Sequence, residues 1–481
     1  MNADLVLHGV TIVDTRDGSL APDMAIVIEN GTIANIAAAS SIGANGAAVI
    51  DARGTFAVPG YNDAHAHPLN EPDPQDGLTL MLANGITGFR QMSGTPALLE
   101  ARREGRLMPA ADAPELLEMC GEILTGANAR SAEMAVAEVR AQHAQGVDFI
   151  KIIDATPEVF FAALEESTRL KLPYLGHLPP TVDVRKAAQA GLRSIEHLGP
   201  KDSVLLGCST DETALRAEAR KQPAPGPRIS GPIPVNVIMR AIASPLLATD
   251  PTEFIRYARV LDTYSDERMR DLAAHFVAAG TWHCPTLTRV RTMALADDQG
   301  YRSDTNLRYV PLPLRQMWED IAQQFSQRLP AAARETLARL FAALAKLVQP
   351  FKVSGVRMLA GSDSGGAAAW CIPGPGLHQE FDQLEAAGLS PLDVLQMTTS
   401  NVAAFLGRES TMGSVAPGKN ANLVLLSANP MTSVQNLHKI SAVVRAGKHY
   451  SAADLDALKS RTEHRVASAL PSSTAVGPPC C

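Results

Sequence analysis

Eight short apolar runs punctuate the middle of the chain, at 62–66, 86–90, 116–119, 149–153, 174–177, 194–197, 281–285 and 358–362, and helical periodicity fills most of the gaps. Short apolar runs bounded by polar residues suit strands covered on both faces, which is how parallel sheets are built. Residues 157–169 carry Val159, Phe160, Ala163 and Leu164 at helical spacing behind a proline suited to a first turn. Residues 182–190 stop at Gly191. Strand and helix alternating eight times is the count that closes a (β/α)8 TIM-like barrel, an α/β fold. The spacing is uneven, because 198–280 and 286–357 are long. Within the second, Leu337, Leu340, Phe341, Leu344 and Leu347 share one helix face. The insertions after strands six and seven are therefore expected to be helical coverings over the barrel mouth, serving as a lid or as a contact in a homo-oligomer.

The two ends of the chain read as β structure. Runs at 5–7, 11–13, 24–29, 32–36 and 48–50 surround an Asn30-Gly31 hairpin signal, and a matching set returns at 423–426 and 440–445 with a turn at Ala446-Gly447. The simplest organisation is a small β-sandwich domain made by both termini, 1–57 and 408–450, with the barrel (58–407) inserted between its halves. Residues 451–481 are expected to form a helix and then a disordered Ser/Pro/Gly-rich tail ending in Cys480-Cys481.

Composition removes several classes. With 43 basic against 50 acidic residues, a net charge of −7 and no basic run, nucleic acid is not an expected partner. No stretch approaches the apolar length of a membrane span, and no basic-then-apolar leader opens the chain. A cytoplasmic location is expected, although a mature exported chain would look the same. The six cysteines form no C-x-x-C pair, which argues against a zinc ribbon or a disulfide scaffold.

The chemistry begins where the run 55–58 feeds Pro59-Gly60 and then His65-Ala66-His67. In a strand, residues i and i+2 face the same way, so both imidazoles can aim at one point and supply half a metal site. Alone, such a pair is a weak signal and reads more readily as part of a polar loop. Later strand ends, where barrel active sites lie, supply the complement: His177, His197 and Asp363. Lys151 stands between Ile150 and Ile152 in the fourth strand, a buried setting that is costly for an ammonium. Among imidazoles and bound cations, conversion by carbon dioxide to an anionic carbamate would relieve that cost. A lysine that reaches the rim or pairs with an acid is the other reading.

In these surroundings the chain resembles the amidohydrolase superfamily, most closely the imidazolonepropionase-like branch with its Xaa-Pro dipeptidase-like and ochratoxinase-like hydrolases. The resemblance spans nearly the whole chain. Val58-Pro59-Gly60 before His65 and His67, the Ile-Lys-Ile around Lys151, and Leu-Gly-His-Leu at His177 carry it. So do Ser194-Ile195-Glu196-His197-Leu198, Gly361-Ser362-Asp363, Ala386 to Pro391 and Gly413 to Lys419. It implies a binuclear centre, usually zinc. His65, His67 and Asp363 would bind the more buried ion, His177 and His197 the outer one, and carboxylated Lys151 would bridge both. It further implies a hydroxide nucleophile held between the ions, with Asp363 moving the proton to the leaving nitrogen.

Weaker candidates are Arg90, suited to a substrate anion or a structural ion pair, and His283 and Arg289, expected to face the substrate space. His378, in the loop after strand eight, is a further candidate for substrate contact, whereas Tyr174 reads as packing. The activity expected is hydrolysis of an amide bond in an N-acyl amino acid or dipeptide-like substrate, the class that includes ochratoxin-type conjugates. Alternatives are ring opening of a cyclic amide or imidazolone, ester or lactone hydrolysis at the same site, or a non-catalytic barrel used for binding.

Overall fold

The computed structural model describes residues 4–43, 46–71, 73–107, 112–221 and 235–468; the tail with Cys480 and Cys481 lies outside them. Seven of the eight expected strands are regular: Tyr61–Ala66, Ile86–Gln91, Glu115–Met119, Ile150–Ile152, Tyr174–Gly176, Ser194–Glu196 and Trp282–Cys284. They pair in parallel in two runs, the first three strands and the last four. Bridges between Cys120 and Phe149 and between Leu124 and Ile152 join the runs on one side.

The eighth segment closes the other side without forming a regular strand. Leu359 N–H donates to the His283 carbonyl (2.9 Å) and Ala64 N–H to that of Ala360 (3.0 Å). Left-handed backbone at Asp363 turns the aspartate inward while pairing continues one residue further, His67 N–H donating to the Ser364 carbonyl (2.7 Å), before left-handed Gly365 leads the chain away. Inside the ring, Leu117, Phe149, Leu175, Trp282 and Leu359 pack with Val402 and Phe405 of helix Ser400–Leu406, which plugs the end opposite the site.

Outside it, helix Pro157–Arg169 starts on Thr156, whose hydroxyl accepts from Val159 N–H. The expected 182–190 helix is shorter, Val184–Gln189. Helix Ala331–Val353 buries Leu337, Leu340, Leu344 and Leu347, with Phe341 partly covered. The insertions do cover the mouth. Helices Val235–Ala243 and Leu312–Arg328 share a separate core with the loop after Asp363, through Ala243, Trp318, Ile321, Trp370 and Ile372. That loop is held by Trp370, stacked on Tyr301.

Both chain ends meet in one sheet. Phe56–Pro59 pairs antiparallel with Leu423–Leu426 and parallel with Leu5–Val13, so the far strands join those of the N-terminal segment. Asn30 and Gly31 are both left-handed, as a tight two-residue hairpin requires. The sheet encloses a core of its own, including Leu7, Ile26, Ile28, Leu423 and Val444. Among the described residues no helix is long and apolar enough to cross a membrane.

One glycine ties this frame to the site. Gly176 precedes His177 with φ +135°, and a Cβ there would lie 2.1 Å from the Ile152 carbonyl oxygen on the neighbouring strand. Gly176→Ala should therefore cost on the order of 3 kcal/mol and displace His177, read as a lower denaturation midpoint. Wild-type stability would show that the fourth and fifth strands separate freely.

Candidate metal centre

The strand ends bring the histidines to one rim. His65 is fully buried and held at both ring nitrogens. Its Nδ1–H donates to Glu196 Oε2 at 2.7 Å, and its Nε2 lies 3.1 Å from both Lys151 Nζ and Asp363 Oδ1. His67 Nδ1 is 2.6 Å from Ser93 Oγ, leaving Nε2 3.0 Å from the same aspartate oxygen. Left-handed backbone at His197 turns its ring inward, where Nδ1 meets Thr286 Oγ1 at 2.5 Å. The His197 ring centroid lies 4.7 Å from that of His65 and 4.9 Å from that of His177. All six residues expected around a metal pair thus stand together, Lys151 among them with 2 % exposure.

Electrostatics keeps the cluster in the protonation states a cation requires. Burial, then the Lys151 charge, lowers His67 to about 4 and His177 to about 3, so both imidazoles are neutral. Burial likewise lowers Lys151. Burial would raise the Asp363 carboxyl, but His197, His65 and His67 hold it well below the ordinary range. Glu196 is also opposed by burial, yet its hydrogen bond from His65 brings it to about 2. His65, His197 and Asp363 each offer a donor atom, all within 4.8 Å of one another. Neutral imidazole nitrogens with a carboxylate oxygen suit zinc and similar divalent ions.

The weaker candidates divide. Arg289 reaches the centre: its Nε lies 3.3 Å from Asp363 Oδ2, and its other nitrogens donate to the carbonyls of Ala243 (3.2 Å) and Ile242 (2.5 Å). Arg90 does not bind at the mouth. Its guanidinium lies in the barrel interior, 4.7 Å from the rings of both Phe149 and Phe405, paired with Glu118 at 2.8 Å.

His283 faces outward onto Phe276 and Phe351, because Trp282 and Cys284 take the inner positions of the same strand. His378 is also turned away, with Nε2 on the Asn84 carbonyl (2.8 Å) and its ring 4.8 Å from that of His438. On helix Pro375–Ala386 the barrel side belongs to Gly376 and Glu380, which leaves position 378 facing out. Tyr174 packs edge-on against Phe160, as expected.

Three further partners lie outside the residues expected from the sequence: Glu196, Ser93 and Thr286, each fixing one imidazole through Nδ1. Glu196 was detectable. An acid on an inner position of a parallel barrel strand is as anomalous as Lys151, and Ser194, two residues earlier, donates to its Oε1 at 2.5 Å.

A closed barrel of parallel strands with imidazoles, a lysine and an aspartate at its rim, beside a small sheet made by both chain ends, defines a hydrolase of carbon–nitrogen bonds. The amidohydrolase family model matches residues 240–449 of the chain. No curated protein sequence matches it. Among solved structures it is similar to bottromycin amidohydrolase, with 24% identity, a TM-score of 0.67 and coverage of 98% of this chain and 93% of the other. A Xaa-Pro dipeptidase with bound methionine shares 16% identity at a TM-score of 0.61, covering 93% and 99%. The ochratoxinase of A. niger shares 15% at 0.59, covering 94% and 97%.

The Glu196–His65 contact makes a direct test. Glu196→Gln should keep the fold but weaken binding of zinc or cobalt by roughly 10- to 100-fold, measured by metal titration of the apoprotein. Unchanged affinity would mean that His65 needs no carboxylate to orient it.

Proposed function

We propose that the protein is a binuclear metal-dependent amidohydrolase, with zinc the favoured ion, that cleaves the amide bond of an N-acyl amino acid or dipeptide-like substrate. The observation that carries this reading is the place of Lys151, whose Nζ lies 3.1 Å from His65 Nε2 among four imidazoles and Asp363. Burial there disfavours an ammonium, although the Asp363 and Glu196 charges partly oppose it. Attack of the neutral amine on carbon dioxide forms an N–C bond, releases a proton and leaves an anionic carbamate able to face two cations. His65, His67 and Asp363 would then hold the inner ion, and His177 and His197 the outer one. When bound, such ions supply an activated water at neutral pH and polarise the scissile carbonyl.

Asp363 has one oxygen within reach of His65 and His67 and the other beside Arg289. It is placed to accept a proton from the attacking water and deliver it to the leaving nitrogen. Arg289, whose guanidinium also holds Asp363 and the carbonyls of Ala243 and Ile242, would be the cation that meets a substrate carboxylate at this rim. The dipeptidase and ochratoxinase likenesses support substrates of that class.

Metal-replete enzyme should hydrolyse members of a panel of N-acyl amino acids and dipeptides faster than matched esters and lactones. A preference for lactones would replace the amide reading. Asp363→Asn should lower turnover by about 10²- to 10⁴-fold. Lys151→Ala should lose activity and bound metal together, with partial recovery in added acetate or propionate. Full turnover in the alanine variant would remove the carbamate from the centre.

A further inference from the structure

Helix Leu287–Ala294 carries Arg289 to Asp363, and the residue before it, Thr286, orients His197. Its start is unusual. Thr286 occupies the capping position in a left-handed conformation (φ 43°, ψ 50°), and its hydroxyl serves His197 rather than the helix's own first N–H groups. Those donors would be left unmet in a buried place, which is costly. Glu380 meets them from another helix. This residue has 0 % exposure, and its Oε2 accepts from Thr288 N–H at 2.8 Å. Its other oxygen, Oε1, has no hydrogen-bond partner among the described residues.

Glu380 sits on helix Pro375–Ala386, which packs against the segment that bears Asp363: a Cβ on Gly376 would stand 3.3 Å from that of Ser362. One carboxylate therefore joins the element that presents Arg289 and Thr286 to the element that backs Asp363. We propose that Glu380 is a positioning residue for the metal centre, fixing where Thr286 meets His197 and where Arg289 meets Asp363 by holding the first turn of helix Leu287–Ala294. The assignment rests on the metal-centre reading above. A serine or threonine at position 286 would ordinarily cap its own helix. Here the hydroxyl is diverted to an imidazole, and a carboxyl group outside the metal cluster replaces it as the acceptor.

Two readouts test this. In metal-free protein, Glu380→Met should speed amide hydrogen exchange in the first turn of the 287–294 helix by roughly five- to tenfold, the usual worth of one cap. With cobalt bound, the same variant should change the visible d–d absorption, because His197 loses its fixed orientation. Glu380→Gln, which retains an acceptor oxygen at the same reach, should return both toward wild type. Should Glu380→Met fail to fold, Glu380→Asp, whose arm is one methylene shorter, gives the same comparison against Gln. Unchanged exchange in Met or Asp, or a cobalt spectrum identical to wild type, overturns the proposal. Wild-type protein that takes up no cobalt overturns the metal-centre reading instead, and the exchange rates then judge the cap alone.

Discussion

His65 is gripped from both sides, by the Glu196 carboxylate at Nδ1 and by Lys151 and Asp363 at Nε2, and the centre is organised around that grip. A histidine with one nitrogen committed to a carboxylate has a fixed tautomer, so its second nitrogen presents a lone pair in a fixed direction. The same device recurs with weaker acceptors. Ser93 orients His67, and Thr286 orients His197. The strongest acceptor serves the most buried ring, where misdirection would be hardest to correct by solvent. His177, only half-buried, is placed by the glycine before it and by its ring contact with His197.

These clamps come from different parts of the barrel, so the centre is only as well ordered as the ring is closed. Closure is least regular at the eighth segment, and that irregularity serves the site. The left-handed turn at Asp363 lifts its carboxylate out of the ladder and between two imidazoles, while Asp363 N–H still donates to the His65 carbonyl at 2.7 Å. The loop that follows is fastened by Trp370 into the core formed by the helical cover. Arg289 makes a second link, since the carbonyls it holds belong to the end of helix Val235–Ala243. The cover and the aspartate are therefore mechanically joined, which is the arrangement expected where water must be excluded from a polar reaction.

The parts of this architecture that follow a short period were legible in the sequence. Seven strands, the Asn30-Gly31 hairpin and the apolar face of helix Ala331–Val353 are set by alternation, by turn chemistry and by helical spacing. His65, His67, Lys151, His177, His197 and Asp363 were legible because a polar group at a buried strand end breaks the pattern around it. What escaped was direction. His283 sits on a strand end as good as that of His197, yet the parity of its strand turns it outward, and a one-residue difference in register decides between centre and packing. His378 was misplaced for the helical analogue of that reason.

Arg90 shows where depth matters as well as direction. It points into the barrel as Lys151 does, and a strand pattern gives both the same reading. Arg90 lies one layer lower, where the aromatic faces of Phe149 and Phe405 and the Glu118 carboxylate satisfy a charge that never changes. Lys151 lies at the imidazole layer, where no comparable partner neutralises an ammonium and where burial favours the free amine. The guanidinium cannot lose its proton and is useful only as a permanent cation. The amine can lose its proton and so can be chemically converted. Two buried basic side chains in one barrel thus differ in kind: the first stabilises the floor of the ring as a permanent cation, and the second stands at its mouth as an amine whose charge burial disfavours.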